Sequence, residues 1–344
     1  MNKDLELWQF IADRLQQDQP VMLLVVAESS GSSPGRQGYK MAVGSDGELV
    51  GSIGGGVMEV SLVEQSREIL RDTEPRRYGD ANIGIHEDGR PVPPEAAVGS
   101  TPFLKEQVHQ KNSSTPSGMI CSGRQTLIFR KLDPADLSTV NALIQALTDR
   151  EQKKLSVSNE AIRIIESEAG ADFQFEKRSD TEFAFRERLG HKNDLYIIGG
   201  GHCALALSEL MSRMDFYIRL YDDRPELNTL DKNRFAHEKH VIESYENIGA
   251  AILSGPNVYV VVMTLGYKSD EIAIRQLIDK DFKYFGVLGS KAKMATLLRE
   301  LKQEGVDAGR LDKIHTPIGL PINSHTPEEI AVSIAAEIIK VKNS

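Results

Sequence analysis

The apolar residues of this chain change their period several times, and the changes mark out its parts. Over residues 4–16, Leu5, Trp8, Ile11, Ala12 and Leu15 recur at helical spacing and predict an amphipathic opening helix. Residues 21–27 are an unbroken β-favouring run, the pattern of a buried strand. Two further strands are expected at 39–43 and 48–53, either side of the turn Gly44-Ser45-Asp46-Gly47. Helical spacing returns over 57–70 through Val57, Val60, Val63 and Leu70. The pattern then lapses. Residues 83–117 carry Pro91, Pro93, Pro94, Pro102 and Pro116 with few large apolar side chains, and read as a long mobile loop. A strand at 126–129 follows, then a helix from about 134 to 147 with Asp133 as N-cap and Pro134 at its first position.

Residues 151–192 read as a connecting segment with strands at 161–165, 173–175 and 183–185. Beyond it, apolar strands at 195–198, 217–221, 258–263 and 284–288 alternate with helical patterns, the signature of a doubly wound parallel sheet. The last helix opens on the capping box Thr326-Pro327-Glu328-Glu329. The expected fold class is α/β: a mixed α/β N-terminal domain over 1–150 and a Rossmann-like domain over 193–344.

Composition narrows the partners. A length of 344 residues, 40% hydrophobic and 26% charged, suits a soluble two-domain protein. The net charge of −9 argues against nucleic acid or an anionic membrane surface as main partner. No apolar run is long enough to span a bilayer. Two cysteines, Cys121 and Cys203, are too few for a disulfide framework, and the start of the chain lacks a signal-peptide core. A reducing, cytoplasmic location is therefore expected.

The strongest chemical signal is Leu195-Tyr-Ile-Ile-Gly199-Gly200-Gly201-His202-Cys203-Ala204, followed downstream by Leu220-Tyr-Asp222-Asp223-Arg224. A strand enters a glycine turn, a helix leaves it, and the next strand ends on acids, as in a dinucleotide-binding βαβ unit. Gly199 permits the tight turn, Gly201 admits a phosphate to the helix N-terminus, and Ala204 packs on the strand. Asp222 stands where a carboxylate meets ribose hydroxyls, and the ring of His202 is expected to face the crevice. Ser290 is expected to cap another helix at the same edge of the sheet.

The N-terminal half has two glycine-rich patches. One spans residues 28–38 with Ser33 and Arg36; the other, Gly51-Ser52-Ile53-Gly54-Gly55-Gly56, directly precedes a helix. Uncovered amides at such a helix start favour an oxyanion, to which Arg36 and Lys40 could add positive charge; plain turns are the competing reading. Cys121 is either a small core residue or a thiolate that contacts a metal or carries sulfur. Cys203 reads as packing. The histidines show no metal-ligand spacing, and HExxH and G-x-S-x-G motifs are absent.

Taken together, these pieces resemble the XdhC/CoxI family, the accessory proteins of molybdenum hydroxylases such as xanthine dehydrogenase. The likeness rests on Gly31-Ser-Ser-Pro34, Gly51-Ser-Ile-Gly54-Gly55-Gly56-Val57-Met58-Glu59, Cys121-Ser-Gly123, the Gly199–His202 turn, Asp222-Asp223-Arg224-Pro225, Gly286-Val-Leu-Gly289-Ser290-Lys291, Pro317-Ile-Gly319-Leu320 and the Thr326 capping box. The resemblance implies a protein that binds molybdenum cofactor, assists its sulfuration by a sulfurtransferase and delivers it to a molybdenum hydroxylase, and that need not catalyse turnover itself. Two positions depart from the family pattern. Val57 stands where cysteine commonly follows the glycine triplet, and Thr264-Leu265-Gly266-Tyr267 stands where the family carries Thr-His-Asp-His.

Two other readings remain: a stand-alone NAD(P)-dependent oxidoreductase and a nucleotide-sensing regulatory protein. The acids at 222 and 223 favour NAD over NADP if a dinucleotide binds. A homodimer is expected on general grounds.

Overall fold

The opening amphipathic stretch forms helix α1 (Lys3–Gln16), which buries Leu7, Trp8, Ile11 and Leu15. The computed structural model describes residues 3–71, 102–109, 123–149, 151–167 and 170–344, and the chain divides into two units, Met1–Gly190 and His191–Ser344. In the first unit follow β1 (Val21–Gly31), β2 (Lys40–Gly44), β3 (Leu49–Gly51), α2 (Val57–Arg71), β4 (Phe103–His109), β5 (Gly123–Leu132) and α3 (Leu137–Asp149). The five strands make an antiparallel sheet in the order β3-β2-β1-β5-β4.

The unbroken apolar run of β1 has a simple cause: both its faces are covered. Val21, Leu23, Val25 and Ala27 join the cluster built with α1 and α3, while Met22, Leu24 and Val26 join Leu62 and Leu70 of α2. An alternation of apolar and polar side chains would leave one of these layers without a core.

Strand β4 lies inside the stretch 83–117 that the sequence pattern suggests is a loop. It pairs with β5 from Phe103↔Phe129 to His109↔Gly123, and Phe103 stacks on Phe129 at 4.8 Å between ring centroids. As the edge strand it needs little apolar surface, so Lys105-Glu106-Gln107 hides it from a hydrophobicity pattern. Residues 83–101 and 110–117 of that stretch lie outside the described residues.

The stretch 151–192, read from its sequence as a connection, carries a second antiparallel sheet. Its strands are β6 (Lys153–Ser158), β7 (Ile162–Glu166), β8 (Phe173–Lys177) and β9 (Phe183–Arg188), in the order β7-β6-β9-β8. Leu155, Val157, Ile162, Phe183 and Phe185 enter the same core as α1 and β1. Lys40 of β2, almost fully buried, reaches Glu187 of β9 at 2.7 Å and Asp4 of α1 at 3.1 Å, which ties the two sheets and α1 together.

The second unit runs β10 (Asn193–Ile198), α4 (His202–Met211), β11 (Phe216–Asp222), α5 (Asn228–Lys232), β12 (Glu238–Val241), α6 (Ile248–Ala251), β13 (Gly255–Val262), α7 (Tyr267–Leu277), β14 (Phe282–Val287), α8 (Lys291–Gln303), α9 (Ala308–Leu311) and α10 (Pro327–Lys342). Its five strands are all parallel, in the order β12-β11-β10-β13-β14. Helices α4 and α10 pack on one face with α5, and α7 and α8 on the other with α6. This is the Rossmann-like doubly wound sheet expected from the alternation. The order reverses between β10 and β13, so a crevice opens there at the carboxyl ends of the strands. Among the described residues, no helix is long and apolar enough to cross a membrane.

Candidate functional site

The crevice is built from three turns, one after each of β10, β11 and β13. After β10 the chain turns at Gly199, whose φ is +106° and where a Cβ would lie 2.3 Å from the Met263 carbonyl oxygen. Only glycine lets the two turns approach so closely. Gly201 is the N-cap of α4 and has no side chain to satisfy the helix's first N–H groups. A Cβ placed on Gly201 meets no protein atom within 4 Å. The helix end thus presents open amides and a positive dipole end to whatever occupies the crevice. Ala204 is completely buried against the sheet, as the motif requires, and His202 is exposed at the first position of the helix.

The acid at the end of β11 has a different job from the one its position suggests. Asp222 is fully buried, and its Oδ2 accepts the Gly200 N–H at 2.6 Å and Arg224 Nη2 at 2.7 Å. Its Oδ1 accepts the Arg224 N–H at 2.9 Å and Arg224 Nε at 2.8 Å. These four donors fill the acceptor positions of a carboxylate, so none is left for a ribose hydroxyl. Burial pushes the Asp222 pKa up, but the Arg224 guanidinium and the Gly200 and Arg224 N–H groups outweigh it and hold the carboxyl below its ordinary value. Asp222 holds the glycine turn. It is not available as the ribose acceptor.

The turn after β13 is held in the same manner. Asp270, buried in α7, accepts the Thr264 hydroxyl at 2.5 Å and the Thr264 N–H at 3.2 Å, and Lys293 of α8 donates to its other oxygen at 2.7 Å. Sequence reasoning singles out neither Lys293 nor the pairing of each buried acid with its own cation. Ser290 is the N-cap of α8 and accepts the Lys293 N–H at 3.3 Å.

In the first unit, Ser33 and the glycine loop come together. The Ser33 hydroxyl donates to Gln125 Oε1 at 2.8 Å, and a Cβ on Gly54 would lie 2.5 Å from the Gly35 nitrogen. Two of the loop amides expected to be open ahead of α2 are in fact taken. Glu59 Oε2 accepts the N–H groups of Ile53 at 3.0 Å and Gly55 at 2.9 Å, and the Ser52 hydroxyl at 2.8 Å. The chain supplies its own anion to the loop ahead of the helix, where the Ser52 hydroxyl also accepts the Gly54 N–H at 3.1 Å. Gly56 has φ +80° and completes the turn. Arg36 is exposed and donates to the Gly31 carbonyl at 3.3 Å, and Lys40 is committed to Asp4 and Glu187.

Cys121 lies outside the described residues. Cys203 is half-buried beside the α4 core, and burial, helped by Glu328, raises its pKa away from a reactive thiolate. Among the described residues, no group of His, Cys, Asp and Glu is placed to hold a metal ion.

Comparison with known proteins matches the two units separately. Residues 195–338 match the XdhC Rossmann domain, and residues 14–79 match the XdhC and CoxI family. The chain belongs to the XdhC/CoxI family. An uncharacterized protein of Escherichia coli, YqeB, is 24% identical over 332 residues, covering 96% of this chain and 45% of that protein. A probable xanthine dehydrogenase component of Bacillus subtilis is 30% identical over 161 residues, covering 46% of each. The chain thus spans less than half the length of these curated relatives. The crystal structure of a xanthine dehydrogenase from Bacillus halodurans has the same fold, with a TM-score of 0.68 over 99% of this chain and 96% of that one, at 21% identity.

Within the XdhC/CoxI pattern, the departures after β13 have structural consequences. Leu265 is 82% exposed, and the Tyr267 hydroxyl donates to Glu300. Tyr267 packs, partly buried, against the core beneath α7 and α8, so this chain uses the position for packing.

Proposed function

We propose that this chain is an accessory protein of a xanthine dehydrogenase-like molybdenum hydroxylase, which binds molybdenum cofactor as cargo and assists its sulfuration and insertion into the client enzyme. The observation that carries this reading is the α4 N-terminus, where Gly201 leaves the amides uncovered at the switch point of the sheet. Molybdopterin is a fused heterocycle bearing a phosphate, and a phosphate suits that helix end. The names of the Bacillus relatives point to the same client class.

Asp222 weighs against the dinucleotide reading, because its acceptor positions serve Gly200 and Arg224. A cargo held through its phosphate makes no demand on a ribose acceptor. The sulfur would come from a sulfurtransferase, with the chain holding the cofactor during transfer.

The test is co-expression of a xanthine dehydrogenase-class apo-hydroxylase with the wild-type chain, with Gly201→Val, or alone. The reading expects full client activity and sulfurated cofactor only with the wild-type chain. Equal activity in all three would remove it.

A further inference from the structure

Strand β14 is the edge strand of the second sheet, and its first half borders a cavity of about 470 Å3. That volume is in the range that holds small-molecule ligands. The cavity is walled by the turn leading into β14 and by the segment following the start of α9, away from the carboxyl ends of the strands where the glycine crevice lies.

Its charge is opposite in sign to that of the whole protein. Lys280, Lys283, Arg310 and Lys313 line it against two carboxylates, Asp281 and Asp312, in a chain of net charge −9. Two of the cations are positioned by neutral backbone groups, which orient them without cancelling their charge. Lys280 Nζ donates to the Ile252 carbonyl at 2.6 Å, and Arg310 Nη1 to the Ile278 carbonyl at 3.2 Å. The carboxylates nearest Arg310, on Asp279 and Asp281, are almost fully exposed and stand off at 3.8 and 3.9 Å. Contacts of that kind are worth little in water. The ammonium groups of Lys283 and Lys313 make no hydrogen bond or ion pair with any described residue.

The strand edge adds a backbone donor. Beyond its midpoint the outer edge of β14 is occupied: His315 N–H donates to the Phe285 carbonyl at 2.8 Å, and Val287 N–H to the His315 carbonyl at 3.0 Å. Strand alternation turns the N–H of Lys283 to the same side, where no strand covers it. Ammonium groups, a guanidinium and an open amide bordering one cavity suit an oxyanion of more than one charge.

We propose that this cavity is a second ligand site, which binds a small phosphate-bearing molecule independently of the glycine crevice. The test is calorimetric titration of the full chain with inorganic pyrophosphate at low ionic strength. Wild type, Gly201→Val and the double variant Lys283→Ala/Lys313→Ala, the last made in the Gly201→Val background so that the glycine crevice contributes no binding, are compared, with melting temperatures recorded for each. The site predicts saturable binding by wild type and Gly201→Val, and at least tenfold weaker binding by the double variant at an unchanged melting temperature. Full binding by the double variant overturns the assignment. So does the absence of saturable binding by the wild type.

Discussion

The Asp222 carboxylate holds the backbone N–H of Gly200 at 2.6 Å, across 22 residues of sequence. Through this bond the end of β11 fixes the turn that follows β10, and Arg224 balances the buried charge. Asp222→Asn should therefore cost about 3 kcal/mol, the order expected when one partner of a buried pair is lost. The pH dependence carries the sign. Because the folded pKa of Asp222 is depressed, its stabilisation is fully present above its unfolded pKa and is lost as pH falls below about 4. Calorimetric unfolding between about pH 5 and 2 should show a shallower decline for Asp222→Asn than for wild type. Parallel curves would contradict the role given to the pair.

Gly199 and Gly201 should separate fold from function. Gly199→Ala combines a left-handed φ with a 2.3 Å clash against the Met263 carbonyl, and should cost more than about 2 kcal/mol in urea unfolding. Gly201→Val has open space around its Cβ and should cost no more than about 1 kcal/mol, the amount expected for a poorer N-cap, yet lose the crevice ligand. A large loss of stability in Gly201→Val would show that its side of the turn is packed rather than open.

The Glu59 carboxylate caps the glycine loop of the first unit. Glu59→Ala should cost about 1 kcal/mol, as for other lost caps, and should speed hydrogen exchange at the Ile53 and Gly55 amides. Unchanged exchange at those two amides would mean that they are not held by Glu59.

Lys40 joins the two sheets of the first unit, and Lys40→Met should destabilise it by about 3–5 kcal/mol because the buried Glu187 carboxylate loses the cation at 2.7 Å. The double variant Lys40→Met/Glu187→Leu should recover much of that loss. Burial opposes the charge on Lys40, but Asp4 and Glu187 outweigh it and raise the pKa above the ordinary lysine value. The contribution is thus present below about pH 10 and fades only as pH rises beyond it. Denaturation midpoints that shift between pH 6 and 9 in wild type but not in the double variant would count against this account.

The sequence makes some of these features plain and conceals others for identifiable reasons. The alternating pattern from Leu195 onward announces the parallel sheet because its strands, covered on both faces, are continuously apolar. The glycine turn is equally legible, since Gly199 and Ala204 are dictated by sterics. Edge strands β4 and β12 escape the pattern because Lys105-Glu106-Gln107 and Glu238-Lys239-His240 need not be apolar at a sheet margin. The readings of Asp222 and of the Gly54–Gly55 loop fail for a different reason. Composition places a carboxylate or an amide near a site, but only the folded chain reveals that Arg224 and Glu59 have already satisfied them.

The most direct measurement is the identity of the small molecule that the chain carries. The wild-type chain and Gly201→Val would be purified from a host that makes molybdenum cofactor, and the acid-released ligands identified by mass spectrometry. The account predicts molybdopterin released from wild type in near-stoichiometric amount and little from Gly201→Val. Release of a nicotinamide dinucleotide, or of no pterin from the wild-type chain, would contradict it.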